Sequence, residues 1–207
     1  MINIKTKPLS KIGRPLSFDR NAALYRAMHL FWAHGYEATS VADLTATMGI
    51  TAPSLYAAYG DKKRLFLEAV DLYCATPTSA SQIIADTATA ADAAHQMLHG
   101  AALHFTGDDT PRGCLLAHGA ISCSAAAQDV CTALADIRRG IEALLSDKIS
   151  KDIAVGTLSD DTDADLLAAY VMTMIQGMAS LARDGASRDK LQSLAGAMMH
   201  SWPGRNS

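Results

Sequence analysis

One surface in this sequence has chemistry that solvent alone does not explain. It belongs to the third of four short helices read between Phe18 and Tyr73, and it carries Thr51, Ala52, Ser54, Ala57 and Ala58, flanked by Tyr56 and Tyr59. A solvated helix face normally carries Lys and Glu. A small, neutral, hydrogen-bonding face suits the major groove of B-form DNA, where base edges offer donors, acceptors and the thymine methyl. Elsewhere the reactive side chains are sparse. Cys74, Cys114, Cys123 and Cys131 are spaced by 40, 9 and 8 residues without a Cys-x-x-Cys pair. That spacing argues against a zinc ribbon or a disulfide scaffold and predicts reduced thiols in a cytoplasmic protein. His95 and His99 share a helix face, but a metal would want a third ligand. No Ser-His-Asp order, phosphate loop or HExxH motif is present. Neither an enzyme nor a metal or cofactor is expected.

The elements that must hold the Thr51–Tyr59 surface can be read from periodicity. Leu24, Ala27, Met28, Phe31 and Trp32 recur at steps of three and four, giving one apolar stripe that Gly35 ends. Thr39 or Ser40 caps a second helix with Val41, Leu44 and Met48 on its inner face. Gly49 marks a sharp turn, Thr51 caps the third helix, and Pro53 sits harmlessly in its first turn. Asp61 caps a fourth helix carrying Leu65, Phe66, Ala69, Val70 and Tyr73. Leu44, Met48, Ile50 and Leu55 pack the second and third helices into a helix-turn-helix. Beyond Tyr73, helices are predicted over about 89–106, 113–122, 126–150, 162–183 and 187–201, with loop-like sequence at 151–161. The expected fold is therefore all-α, with about nine helices.

Composition agrees. The 207-residue chain is 49% hydrophobic and only 6% aromatic, which favours helices over a sandwich. No apolar run approaches the roughly 20 residues that cross a bilayer, so no membrane partner is expected. The net charge of −3 conceals an asymmetry: residues 1–64 hold nine Lys/Arg and four acids, a balance of +5, and the remainder carries −8. A basic front on an acidic body suits a polyanionic partner. Three parts are read: a basic arm at 1–17, a helix-turn-helix unit at 18–62 and an acidic helical body at 63–207. In the arm, Gly13-Arg14-Pro15 suits a narrow minor groove, whose negative potential attracts Arg14.

Residues 14–73 resemble the TetR family of transcriptional regulators. The resemblance is carried by Gly35-Tyr36, Thr39-Ser40, the turn at Gly49, Leu55-Tyr56, Tyr59 and Asp61-Lys62. It implies a homodimeric repressor of double-stranded DNA that leaves a palindromic operator when a small apolar or amphipathic effector binds the C-terminal helices. On matching positions it implies that Thr39, Ser40 and Lys62 meet phosphates, and that Tyr56 bonds the DNA backbone. Thr51, Ala52, Pro53 and Ser54 lie nearest the bases, and Tyr59 flanks them. Ala52 and Pro53 depart from a donor-rich pattern, leaving methyl contacts, Thr51 and Ser54 to read sequence.

The family's last two helices usually form the dimer interface. Here that role falls to Leu167, Tyr170, Met174, Gly177, Leu191 and Met198. Pro111-Arg-Gly-Cys114 resembles a segment at which one subgroup starts the helix linking cavity to DNA-binding heads. Cys114, His118, Cys123, Met174 and Met178 are the effector or sensor candidates. With Cys114 at a helix N-terminus, the dipole would lower its thiol pKa, the basis of an alternative electrophile or oxidant sensor. Cys114 and Cys123, nine apart on one helix, would face opposite sides. The alternatives of another class are a helical thiol enzyme and an interaction module without DNA.

Overall fold

Nearly every helix begins on a side chain that can satisfy its free N–H groups. In the computed structural model, which describes residues 18–121 and 123–204, Asp19 accepts from Asn21 and Ala22 N–H and opens α1 (Arg20–His34). Ser40 and Asp43 cap each other's backbone at the start of α2 (Val41–Met48). Thr51 opens α3 (Ala52–Tyr59) and Asp61 opens α4 (Lys62–Cys74). Ser79 opens α5 (Ala80–Asp86), and Thr89 opens α6 (Ala90–His104). Then follow α7 (Leu115–His118), a 3-10 turn (Ala125–Ala127), α8 (Gln128–Ala154), α9 (Ala164–Arg183, capped by Asp163) and α10 (Arg188–His200, capped by Ser187). Such caps contribute about 1 kcal/mol each. The fold is all-helical, with no strand among the described residues.

The stripe read on α1 is the centre of the N-terminal packing. Leu24, Ala27, Met28, Phe31 and Trp32 are all buried. Phe31 meets Phe66 of α4 edge-on at 5.0 Å. Leu44, Met48 and Leu55 close the α2–α3 wedge from inside. Gly49 takes φ +69 at the turn, a conformation that L side chains rarely adopt. Behind this unit, α8 and α9 pack along each other, and α6 lies between them and α10.

Three sequence expectations change. The helix α5 was not anticipated, because its seven residues carry only Ile83 and Ile84 as large apolar anchors. The helix expected over 113–122 stops at His118, and the next one runs to Ala154, absorbing the start of the stretch read as loop. The early stop brings two thiols together: Cys123 and Cys131 form a disulfide, contrary to the expectation of four reduced thiols. Spacing along a continuous helix did not apply, since Cys123 lies in a return loop beside the first turn of α8. We expect Cys123→Ser, or reduction, to lower stability by about 2 kcal/mol, the loop-closure effect for so short a span. Paired melts with and without dithiothreitol measure it.

One further expectation is modified. By length and composition alone, α9 is long and apolar enough to cross a membrane. One of its faces packs against α8 and α6, which is what an amphipathic bundle helix requires.

Candidate nucleic-acid interface and effector cavity

The exposed face of α3 follows from which residues its core consumes. Leu55 and Tyr59 point inward, so Pro53, Tyr56 and Ala57 point outward with Thr51 just before them. Tyr56 is 50% exposed. Thr51 and Ser54 hydroxyls lie 2.9 Å apart and form one polar spot at the helix start. Ala52 and Ser54 are half-buried beside it. At the edge of this face, Lys62 begins α4 and its ammonium lies 4.3 Å from the centre of the Tyr36 ring. Partial burial lowers the Lys62 pKa. Lys62, Lys63 and Arg64 together place three cations in the first turn of α4, where the helix dipole disfavours them. Lys63 is paired with Asp129 of α8.

The face is tied to the rest of the molecule through the end of α1. Tyr36 N–H donates to the Gly119 carbonyl at 2.7 Å, and Ser124 N–H donates to the Glu37 carboxylate at 2.8 Å. That bond holds the Glu37 carboxyl below its usual pKa. Trp32 Nε1 donates to the Gly113 carbonyl at 3.1 Å, and its ring stacks on His104 and meets Tyr73 edge-on, both at 5.0 Å.

Tyr73 and His104 also line a cavity of about 570 Å³. This is within the size range of small-molecule sites. Its apolar wall includes Met97, Leu103, Phe105, Ile137, Ile141 and Met172. Cys74, Cys114, Arg138 and Gln176 supply polar atoms. Tyr73 hydroxyl donates to Cys114 Sγ at 3.4 Å. Burial pushes the Cys114 thiol up despite backbone N–H groups pointing at it, and raises Cys74 to about 11.

Comparison with known proteins identifies this arrangement. Residues 23–69 match the model for bacterial regulatory proteins of the tetR family, and residues 96–198 match a tetracyclin repressor-like C-terminal domain. The HTH-type transcriptional repressor ComR of Escherichia coli (strain K12) is 36% identical over 193 residues, 92% of each chain. The chain belongs to the TetR family. It is a DNA-binding helix-turn-helix transcriptional repressor and not an enzyme. BdcR of the same organism, also an HTH-type transcriptional repressor, is 28% identical over 90% of each chain. A cysteine-substituted form of the TetR family regulator CifR, complexed with 26 bp of double-strand operator DNA, superposes with TM-score 0.87. It is 35% identical, over 92% of this chain and 100% of that one.

Against this TetR-family frame, the residues singled out from sequence divide cleanly. Thr51, Ala52, Pro53, Ser54 and Tyr56 lie on α3 or its cap, and Lys62 opens α4 three residues after Tyr59. Ser40 caps α2, its hydroxyl already engaged with Asp43. Thr39 does not fit the phosphate role: it is 1% exposed and donates to the Gly35 carbonyl at 2.6 Å. We expect Thr39→Val to lower stability by about 1–2 kcal/mol in a thermal melt, with DNA affinity of the folded protein unchanged. Tyr59 is likewise interior, donating to the Arg20 carbonyl at 2.7 Å beneath the Arg20 guanidinium. Its core role follows from lying four residues after Leu55. Arg14 lies outside the described residues.

Of the effector candidates, Cys114 lines the cavity. His118, Cys123, Met174 and Met178 do not. His118 Nε2 faces the Ser180 hydroxyl at 3.2 Å, Cys123 is in the disulfide, and Met178 is fully buried. Nor does the dipole activate Cys114: α7 is only four residues long, and desolvation outweighs its N–H groups. Of the dimer candidates, Tyr170 and Gly177 are exposed, and Leu167 and Met174 are half-buried. Leu191 and Met198 are interior, spent on packing α10 within the chain. Leu166, on the same α9 face and one turn before Tyr170, is 67% exposed. Sequence reasoning missed Arg138.

Proposed function

We infer that the protein acts in the cytoplasm as a homodimeric repressor, and that an effector in the 570 Å³ cavity releases it from a palindromic operator. The observation that carries this reading is the outward face of α3. Thr51, Pro53, Ser54 and Tyr56 project from a wedge whose inner residues, Leu44 and Leu55, are wholly buried. In this reading residues 18–62 form the DNA-binding unit and residues 63–207 the effector and dimer unit. The N-terminal residues of α3 reach the base edges, with apolar contacts from Ala52 and Pro53 to thymine methyls. The Tyr56 hydroxyl and the cationic start of α4 meet phosphates, which relieves the mismatch between three cations and the helix dipole.

Pairing uses the outer faces of α9 and α10. Leu166 and Tyr170 are exposed apolar groups, and a side chain at Gly177 or Gly196 would meet only open space, leaving room for close helix approach. Two α3 helices are then carried to successive major grooves. Coupling to the cavity runs through Tyr73 at the end of α4 and through Trp32 of α1, whose ring touches the cavity residues Tyr73 and His104. An effector that fits one head spacing better than the other shifts the population between them.

Salt titration of operator binding tests the DNA reading. Several phosphate contacts give a steep fall of log K with log salt. A flat dependence would contradict it. For pairing, Tyr170→Glu should turn the dimer into a monomer by sedimentation while the melt is unchanged.

A further inference from the structure

The cavity wall carries a cation, Arg138, in no ion pair among the described residues. Arg138 is the only Lys or Arg on the described wall, and it is half-buried. One of its amino groups donates to the Leu116 carbonyl, which fixes the guanidinium in place. No carboxylate pairs with Arg138 among the described residues. The fork geometry of guanidinium leaves further N–H donors free. His104 adds no second charge at neutral pH, because burial lowers its pKa. A further wall residue, Thr110, has a buried hydroxyl without a partner. Asp108 and Asp109 also touch the cavity, but both are exposed on the turn at 107–110 and remain solvated.

We propose that the cavity selects an amphipathic carboxylate: an aliphatic or aromatic tail against Met97, Phe105, Ile141 and Met172, and a carboxylate on the Arg138 guanidinium. The inference rests on the effector reading above and names its ligand class. Charge-assisted, bidentate pairing is the strongest contact this wall can offer. It also opposes the usual order of apolar sites, in which an alcohol of equal chain length enters more readily because its head costs less to desolvate.

Three probes of one chain length separate the possibilities: decanoate, decanol and decylamine, titrated by calorimetry below their aggregation concentrations. Trp32 emission serves as a second readout, since its ring stacks on the wall residue His104. Decanoate should bind at least about 10-fold more tightly than decanol, and decylamine most weakly. Arg138→Met should erase the preference for decanoate over decanol, and Arg138→Lys should retain part of it, with melting curves confirming both folds. Equal or tighter binding of decanol or decylamine to the unaltered protein would overturn the carboxylate assignment and leave the effector cavity standing. Failure of all three probes to bind would overturn the effector reading itself.

Discussion

Ala57→Glu is expected to abolish specific operator binding, by more than about 100-fold, and to leave the melting temperature within a degree or two. The position is exposed in the middle of the outward face of α3. Glu is a good helix former, and Ala57 is exposed among the described residues, so the fold loses little. In the groove the same carboxylate meets base-edge acceptors and two walls of phosphate, where like charges repel and a bulky side chain replaces a methyl. Tyr56→Ala should act more mildly, about 10-fold, by deleting one backbone contact. An electrophoretic shift assay beside a thermal melt measures both. If Ala57→Glu binds as well as the unaltered protein, α3 is not the reading helix.

The second large effect is on stability. Trp32→Ala should cost about 3–5 kcal/mol, the range for deleting a buried aromatic side chain. Trp32 is 2% exposed, and three attachments depend on it: the His104 stack, the Tyr73 edge contact and the hydrogen bond to Gly113. Trp32→Phe retains most of the ring but leaves the Gly113 carbonyl without its donor, so it should cost about 1–3 kcal/mol. Denaturant unfolding separates the two. Trp32 bridges α1 to the cavity, so the Phe variant should also weaken coupling: an effector that releases DNA from the parent protein should release it less completely. A Trp32→Ala protein as stable as its parent would mean that this bridge carries no energy.

What was legible in the sequence follows from how local each determinant is. The α1 stripe, the caps Ser40, Thr51 and Asp61, and the turn at Gly49 all depend on residues within a few positions of one another. The expectations built on them agree with the structure. Thr39 failed because its hydroxyl was assigned outward by family resemblance. A helix-entry threonine four residues after Gly35 is equally placed to donate back into the chain, and here it does. Leu191 and Met198 failed for a different reason. An apolar stripe shows that a helix face is buried, not whether its own chain or a partner covers it: Leu166 and Tyr170 of α9 stay exposed, while Leu191 and Met198 of α10 are covered by their own chain. The Cys123–Cys131 disulfide required knowing that α7 ends after one turn. Arg138 carries no local signature: its meaning comes from Leu116 and Tyr73, which are distant in sequence but share its cavity.

The central claim is that two copies of the α2–α3 wedge read duplex DNA together. The most direct measurement is selection of binding sites from a random duplex pool by the purified protein at low ionic strength. The expected result is an inverted repeat whose half-sites are centred one helical turn apart, or a multiple of it, with the symmetry lost for Tyr170→Glu. A pool that shows no enrichment, or that converges on a single unrepeated site bound equally well by the monomeric variant, would contradict it.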